Sequence, residues 1–149
     1  MTAKRTVAAD AAQLTVLNQL LQEFWTAAAL APAALRTFEL ALEEIFVNIV
    51  VHGTGPGSTP LVEVSLSWAA PSVVMTVEDD GPPFDPLSVP PPDVTAGLAD
   101  RRVGGLGVFL VRKTMDTVSY TRSAGRNQLR IAKRLDGCDR PRAAGGKSA

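Results

Sequence analysis

The chain has 149 residues, 46% of them hydrophobic, so one globular domain with a substantial core is expected and a disordered chain is excluded. Fifteen lysines and arginines balance fifteen aspartates and glutamates, which points away from nucleic acid or an anionic membrane as the main partner. With one cysteine, Cys138, and one histidine, His52, an internal disulfide is impossible and a zinc site of nitrogen and sulfur ligands is nearly excluded.

No apolar run approaches the length of a membrane span, and the first residues, MTAKRTVAADAAQ, carry no signal-peptide core, so a soluble cytoplasmic protein is expected. Residues 4–8 read as a short edge strand. Asp10 is a candidate N-cap for a helix whose stripe is Leu14, Leu17, Leu21, Phe24 and Ala28, with Leu20 and Trp25 beside it. Pro32 and Gly53 bracket a second helix, on which Leu35, Phe38, Leu42, Ile45 and Ile49 form one apolar face. At 100° per residue Glu44, Asn48 and His52 make a further stripe on the flank of that face, while Glu43 points to solvent.

After a loop dense in glycine and proline, LVEVSLSW alternates with Val62, Val64, Leu66 and Trp68 on one side. A turn at Ala69–Ser72 leads into a second strand, making a hairpin in which Val73, Met75, Val77 and Asp79 share a face. An ionised aspartate facing a core is costly unless something donates hydrogen bonds to it, and a ligand amino group is one such donor. From Gly81 to Arg102 periodicity is lost and six of the eleven prolines occur, the signature of a functional loop or lid. Gly104, Gly105 and Gly107 then open a helix running to about Met115. Glycines there let the backbone approach a ligand, and free N–H groups attract phosphate. TVSYTR and NQLRIAKRL form a closing hairpin, and residues 136–149 lack an apolar pattern, which reads as a disordered tail after one domain over residues 1–135.

Three signals therefore stand in a fixed order: Glu44-x-x-x-Asn48-x-x-x-His52 on a helix, Asp79-Asp80-Gly81-Pro82-Pro83-Phe84-Asp85 at a strand end, and Gly104-Gly105-Leu106-Gly107 after a proline-rich lid. The ordered set resembles the GHKL (Bergerat-fold) ATPases, and within them the anti-sigma-factor serine/threonine kinases of the RsbW and SpoIIAB kind. The resemblance covers roughly residues 4–135. It implies an α/β two-layer sandwich, a mixed, mostly antiparallel sheet with helices on one face.

By that resemblance the cofactors are ATP and Mg²⁺. Asn48 offers its amide oxygen to the metal, which prefers oxygen ligands. Asp79 accepts from the adenine amino group, Gly81 and the segment through Pro83 pass close to the base, and Gly104, Gly105, Leu106 and Gly107 line the phosphates. Glu44 orients or deprotonates an attacking hydroxyl, in a reaction that needs mainly positioning and charge neutralisation. His52 matches a residue of the nucleotide site, or serves as a helix-end cation. Arg102, with Arg101, steadies a γ-phosphate or is solvated.

With His52 the sole histidine, autophosphorylation on histidine is not expected. The implied function is an ATP-dependent protein kinase acting on a STAS-domain antagonist and holding a sigma factor, with a homodimer suggested and no direct contact to nucleic acid or membrane. The alternative is a nucleotide-dependent binding module without kinase activity. The glycine run departs from the arginine-serine-glycine run frequent among these kinases, which leaves the subfamily and the partner open.

Overall fold

Alternating burial builds the sheet. In the computed structural model, which describes residues 1–53, 55–88 and 105–135, the strands are β1 (Thr2–Ala8), β2 (Leu61–Ala69), β3 (Ser72–Asp79), β4 (Thr117–Ser123) and β5 (Arg126–Arg134). Their order is β1-β2-β3-β5-β4. Every neighbouring pair is antiparallel, so among the described residues the sheet is not mixed. The reason lies in the connections. β3 and β4 run the same way across a helical crossover, but β5 returns by a hairpin and inserts between them, opposing both. Ala124 and Gly125 at that hairpin both have positive φ, 52° and 75°, the turn geometry that matches strand twist.

β1 is longer than the expected 4–8, because pairing with β2 continues out to Thr2↔Ser67 although only Val7 of the strand is buried. Inward positions of the central strands are Val62, Val64 and Leu66, then Val73, Met75 and Val77, then Leu129 and Ile131, all buried. The opposite face is a polar surface: Lys4, Ser65, Thr76, Arg130 and Ser119 lie side by side in register across all five strands.

Among the described residues three α-helices, α1 (Leu14–Ala27), α2 (Pro32–Gly53) and α3 (Gly105–Thr114), complete the core with the apolar face of the sheet. Asp10 caps a 3-10 turn, Ala11–Gln13, that leads into α1, its carboxylate accepting from the Ala12 N–H at 3.0 Å. At the other end Ala29 sits at φ 52°, with Ala29 N–H on the Thr26 carbonyl and Leu30 N–H on the Trp25 carbonyl, a Schellman stop without glycine. Phe38 and Phe46 of α2 are wholly buried, and Trp25 of α1 tilts against Phe38 with ring centroids 5.1 Å apart. These contacts fix α2 against the sheet, and with it the flank carrying Glu44, Asn48 and His52. No described helix is long and apolar enough to cross a membrane.

Candidate functional site

Between the C-terminal half of α2 and strands β3, β4 and β5 lies a concave pocket, partly open to solvent and lined mainly by apolar groups with a few convergent polar ones, as small-molecule sites are. Asn48 and His52 contribute from α2, Asp79 from β3, Asn127 from β5 and Tyr120 from β4, while Pro82, Phe84 and Pro86 close the mouth. The floor is apolar, made by Ile45, Ile49, Val77 and Leu129. A flat heteroaromatic ring with a polar edge suits such a cavity.

Asp79 faces the core as alternation requires and is 5% exposed, but the protein itself donates to it. Its Oδ1 accepts from the Gly81 N–H at 2.9 Å and from Asn127 Nδ2 at 3.0 Å. No other described residue supplies a donor to the carboxylate, which leaves Oδ2 for a ligand. Gly81 is needed for this turn-back: a Cβ there would stand 2.9 Å from that same Oδ1 and 3.2 Å from Pro60. Its carbonyl accepts from the Arg122 guanidinium at 2.7 Å, which ties the segment after β3 to β4. Pro83 is exposed, and its neighbour Pro82 is the one lining the pocket.

His52 is exposed, and its ring stacks on Phe84 with centroids 4.3 Å apart and planes 17° from parallel. That stack bridges the end of α2 and the segment after β3. Neither Phe84 nor Tyr120 nor Asn127 was among the candidate residues read from the sequence.

Glu44 stands apart from this pocket. It lines a second groove, with Thr37, Leu40, Gly107 and Leu110, between α2 and α3. Gly107 is buried against it so closely that a Cβ there would overlap the Glu44 carboxylate. The fourth turn of α2, at Glu44, therefore meets the first turn of α3, and that contact requires glycine. Burial, and secondarily the neighbouring negative charge of Glu43, raises the Glu44 pKa above its ordinary 4.5. Glu43 itself is exposed. Gly105 and Leu106 form the start of α3, whose first N–H groups have no partner within the helix. Arg101, Arg102 and Gly104 lie outside the described residues, as does the segment 136–149.

A Mg²⁺ ion in this fold would take protein oxygen from Asn48. Among the described residues no three His, Cys, Asp or Glu side chains cluster to hold a metal alone. A single amide ligand fits an ion that keeps waters and binds chiefly through substrate phosphates, whose charge it neutralises.

Comparison with known proteins bears on the family and the fold. The family model of the histidine kinase-like ATPase domain matches residues 7–133. The serine/threonine-protein kinase BtrW of Bordetella bronchiseptica is 32% identical over 95 residues, which are 64% of this chain and 67% of that protein. Among solved structures, that of the RsbU and RsbW domains of Rv1364c from Mycobacterium tuberculosis superposes with a TM-score of 0.65 at 16% identity, over 95% of this chain. The chain spans only 33% of that structure's length. The histidine kinase domain of the Erythrobacter litoralis blue-light activated kinase EL346 gives 0.52 at 17% identity, covering 87% of this chain and 62% of that one. Both superpositions reproduce the two-layer arrangement of sheet and helices. The chain belongs to the histidine kinase-like ATPase domain family, the GHKL ATPases, and is related within it to the RsbW-like kinases.

Proposed function

We propose that this protein is a Mg-ATP-dependent serine/threonine kinase, cytoplasmic, that phosphorylates a STAS-domain antagonist and sequesters a sigma factor, as a homodimer. The observation that carries the reading is the placement of Glu44. It lies one helical turn from Asn48, in a groove that begins where α3 begins, and it is half-buried with a raised pKa. Adenine would fill the pocket with its amino group on Asp79. The phosphates would reach the N–H groups at Gly105, Leu106 and Gly107, and His52 and Arg102 would flank the bound nucleotide. Glu44 would then accept the proton of an incoming hydroxyl, the general-base role that a desolvated carboxylate suits. The Bordetella relative, named a serine/threonine-protein kinase, supports the same choice of acceptor.

The test is transfer of labelled phosphate from ATP to a STAS-domain protein recovered with this chain, followed by identification of the modified residue. Phosphoserine or phosphothreonine is expected. ATP-dependent capture of that partner without transfer would replace the kinase by a nucleotide-gated binding module. Metal use is tested separately: ATP binding is expected to tighten with Mg²⁺, and Asn48→Ala to lose that gain. Retention of the full gain would place the ion elsewhere.

A further inference from the structure

We propose that Asn127 is the positioning residue of the base pocket, the group that presets Asp79 and the Pro82–Phe84 segment for one kind of nucleobase; this rests on the nucleotide-binding reading above. Asp79 and Asn127 are direct cross-strand partners in the β3–β5 register and the buried polar residues among those described, each 5% exposed. An asparagine amide has two N–H donors and an oxygen with two lone pairs, and here all of them are used. Nδ2 donates to Asp79 Oδ1 at 3.0 Å and to the Pro82 carbonyl at 2.8 Å. Oδ1 accepts from the Tyr120 hydroxyl and from the Phe84 N–H, the latter at 3.3 Å.

The surroundings leave one orientation for this amide. Turned over, its oxygen would face a carboxylate and a carbonyl while one of its N–H groups met the Phe84 N–H, three repulsive contacts in a nearly dry site, with only the Tyr120 hydroxyl able to turn and accept. With its capacity spent on the protein, Asn127 has no hydrogen bond to offer a ligand. Its effect on a base is indirect and has two parts. It occupies Asp79 Oδ1, so that a single oxygen, Oδ2, is left as acceptor for an exocyclic amino group. It also holds the main chain at Pro82 and Phe84, and Phe84 carries the ring stacked on His52. The acceptor on the floor and the aromatic at the mouth are thus set by one side chain. A purine bearing a carbonyl where adenine has its amino group would meet that fixed acceptor with another acceptor, and the pocket could not readjust.

The experiment measures ATP and GTP affinities of the wild type, Asn127→Ala, Asn127→Asp and Tyr120→Phe by calorimetry, with thermal unfolding of each alongside. Asn127→Ala is expected to bind ATP about tenfold or more weakly and to lose much of its preference over GTP. Asn127→Asp keeps the shape but sets a carboxylate beside Asp79. Two such groups share a proton, so ATP affinity should fall at pH 8 and recover toward pH 6 beyond any change in the wild type. The wild-type comparison also removes the contributions of His52, Tyr120 and Arg122, the other titratable and charged groups around the amide. Tyr120→Phe deletes one donor to Oδ1 and is the milder probe should the Asn127 variants fail to fold; a smaller drop in the ATP-to-GTP ratio is expected. Folded Asn127→Ala with wild-type ATP affinity and selectivity overturns the proposal, as does an unchanged ratio in Tyr120→Phe when the Asn127 variants do not fold. A wild type that binds neither nucleotide overturns the pocket assignment itself.

Discussion

Asp79 and Glu44 are both carboxylates at the edge of the same core, and they are held in opposite ways. Asp79 is almost wholly buried and accepts two N–H groups on one oxygen, inside a network that also ties down the chain following it. Glu44 is only half-buried, accepts from no described residue, and lies against the backbone of Gly107, with burial and Glu43 disfavouring its charge. A carboxylate fixed by donors is a good acceptor. One that is desolvated without donors takes up a proton readily, which is the property wanted of a base. The two sites are therefore held differently, in keeping with the recognition role proposed for Asp79 and the chemical role proposed for Glu44.

The comparison breaks most sharply at Glu44. Glu44→Gln keeps the shape and loses the basicity, so phosphate transfer should slow at least ~100-fold while Mg-ATP affinity stays close to wild type. Radiolabel transfer and calorimetry on the same preparation measure both; transfer at the wild-type rate would remove Glu44 from the chemistry. The reverse pattern is expected at the other end. Asp79→Asn should weaken ATP by roughly 1.5–3 kcal/mol, about one to two decades, through loss of a charged acceptor. Calorimetry showing unchanged ATP affinity in a folded variant would take Asp79 out of the base pocket.

Gly107→Ala sharpens the contrast without substituting either carboxylate. The added Cβ displaces the Glu44 side chain, and misplacing a reacting group by ~1 Å costs up to ~100-fold, so transfer should fall roughly tenfold with base affinity retained. Combined with Glu44→Gln it should cost little more, and additive losses in single-turnover rates would refute this coupling. The smallest effect is a matter of pH. Glu44 works ionised, so transfer falls as pH drops through its raised pKa, above the ordinary 4.5. Glu43→Gln removes the secondary cause of that rise, and the acid limb of the pH–rate profile should move to lower pH with the neutral rate unchanged. A limb that stays in place would assign it to another group.

Much of the scaffold was legible because its signals are local. Pro32 and Gly53 delimit α2 as read, and period-two alternation placed Asp79 on the core side of β3. The same alternation, extended one step back from Leu129 and Ile131, puts Asn127 inward as well, but a lone polar residue at the start of a strand carries no apolar signal of its own. What alternation does not carry is register. Asn127 finds Asp79 across 48 positions, and Phe84 reaches His52 through a segment without periodicity. The helical spacing of Glu44, Asn48 and His52 was correct, but one flank of a helix can border two cavities. The crossing of α3 over α2 is what divides Glu44 from the others.

The insertion of β5 between β3 and β4 has a consequence for the order of events in synthesis. A chain emerging N-terminus first can complete both long helices and the β2–β3 hairpin before any of β5 exists. Until β5 arrives Asp79 has no cross-strand neighbour on that side, and the pocket lacks one of its walls. Nucleotide therefore engages only the finished sheet. At about one hundred times its dissociation constant it would add about 2.7 kcal/mol to the stability of that state, drawing the last strand home and holding it there.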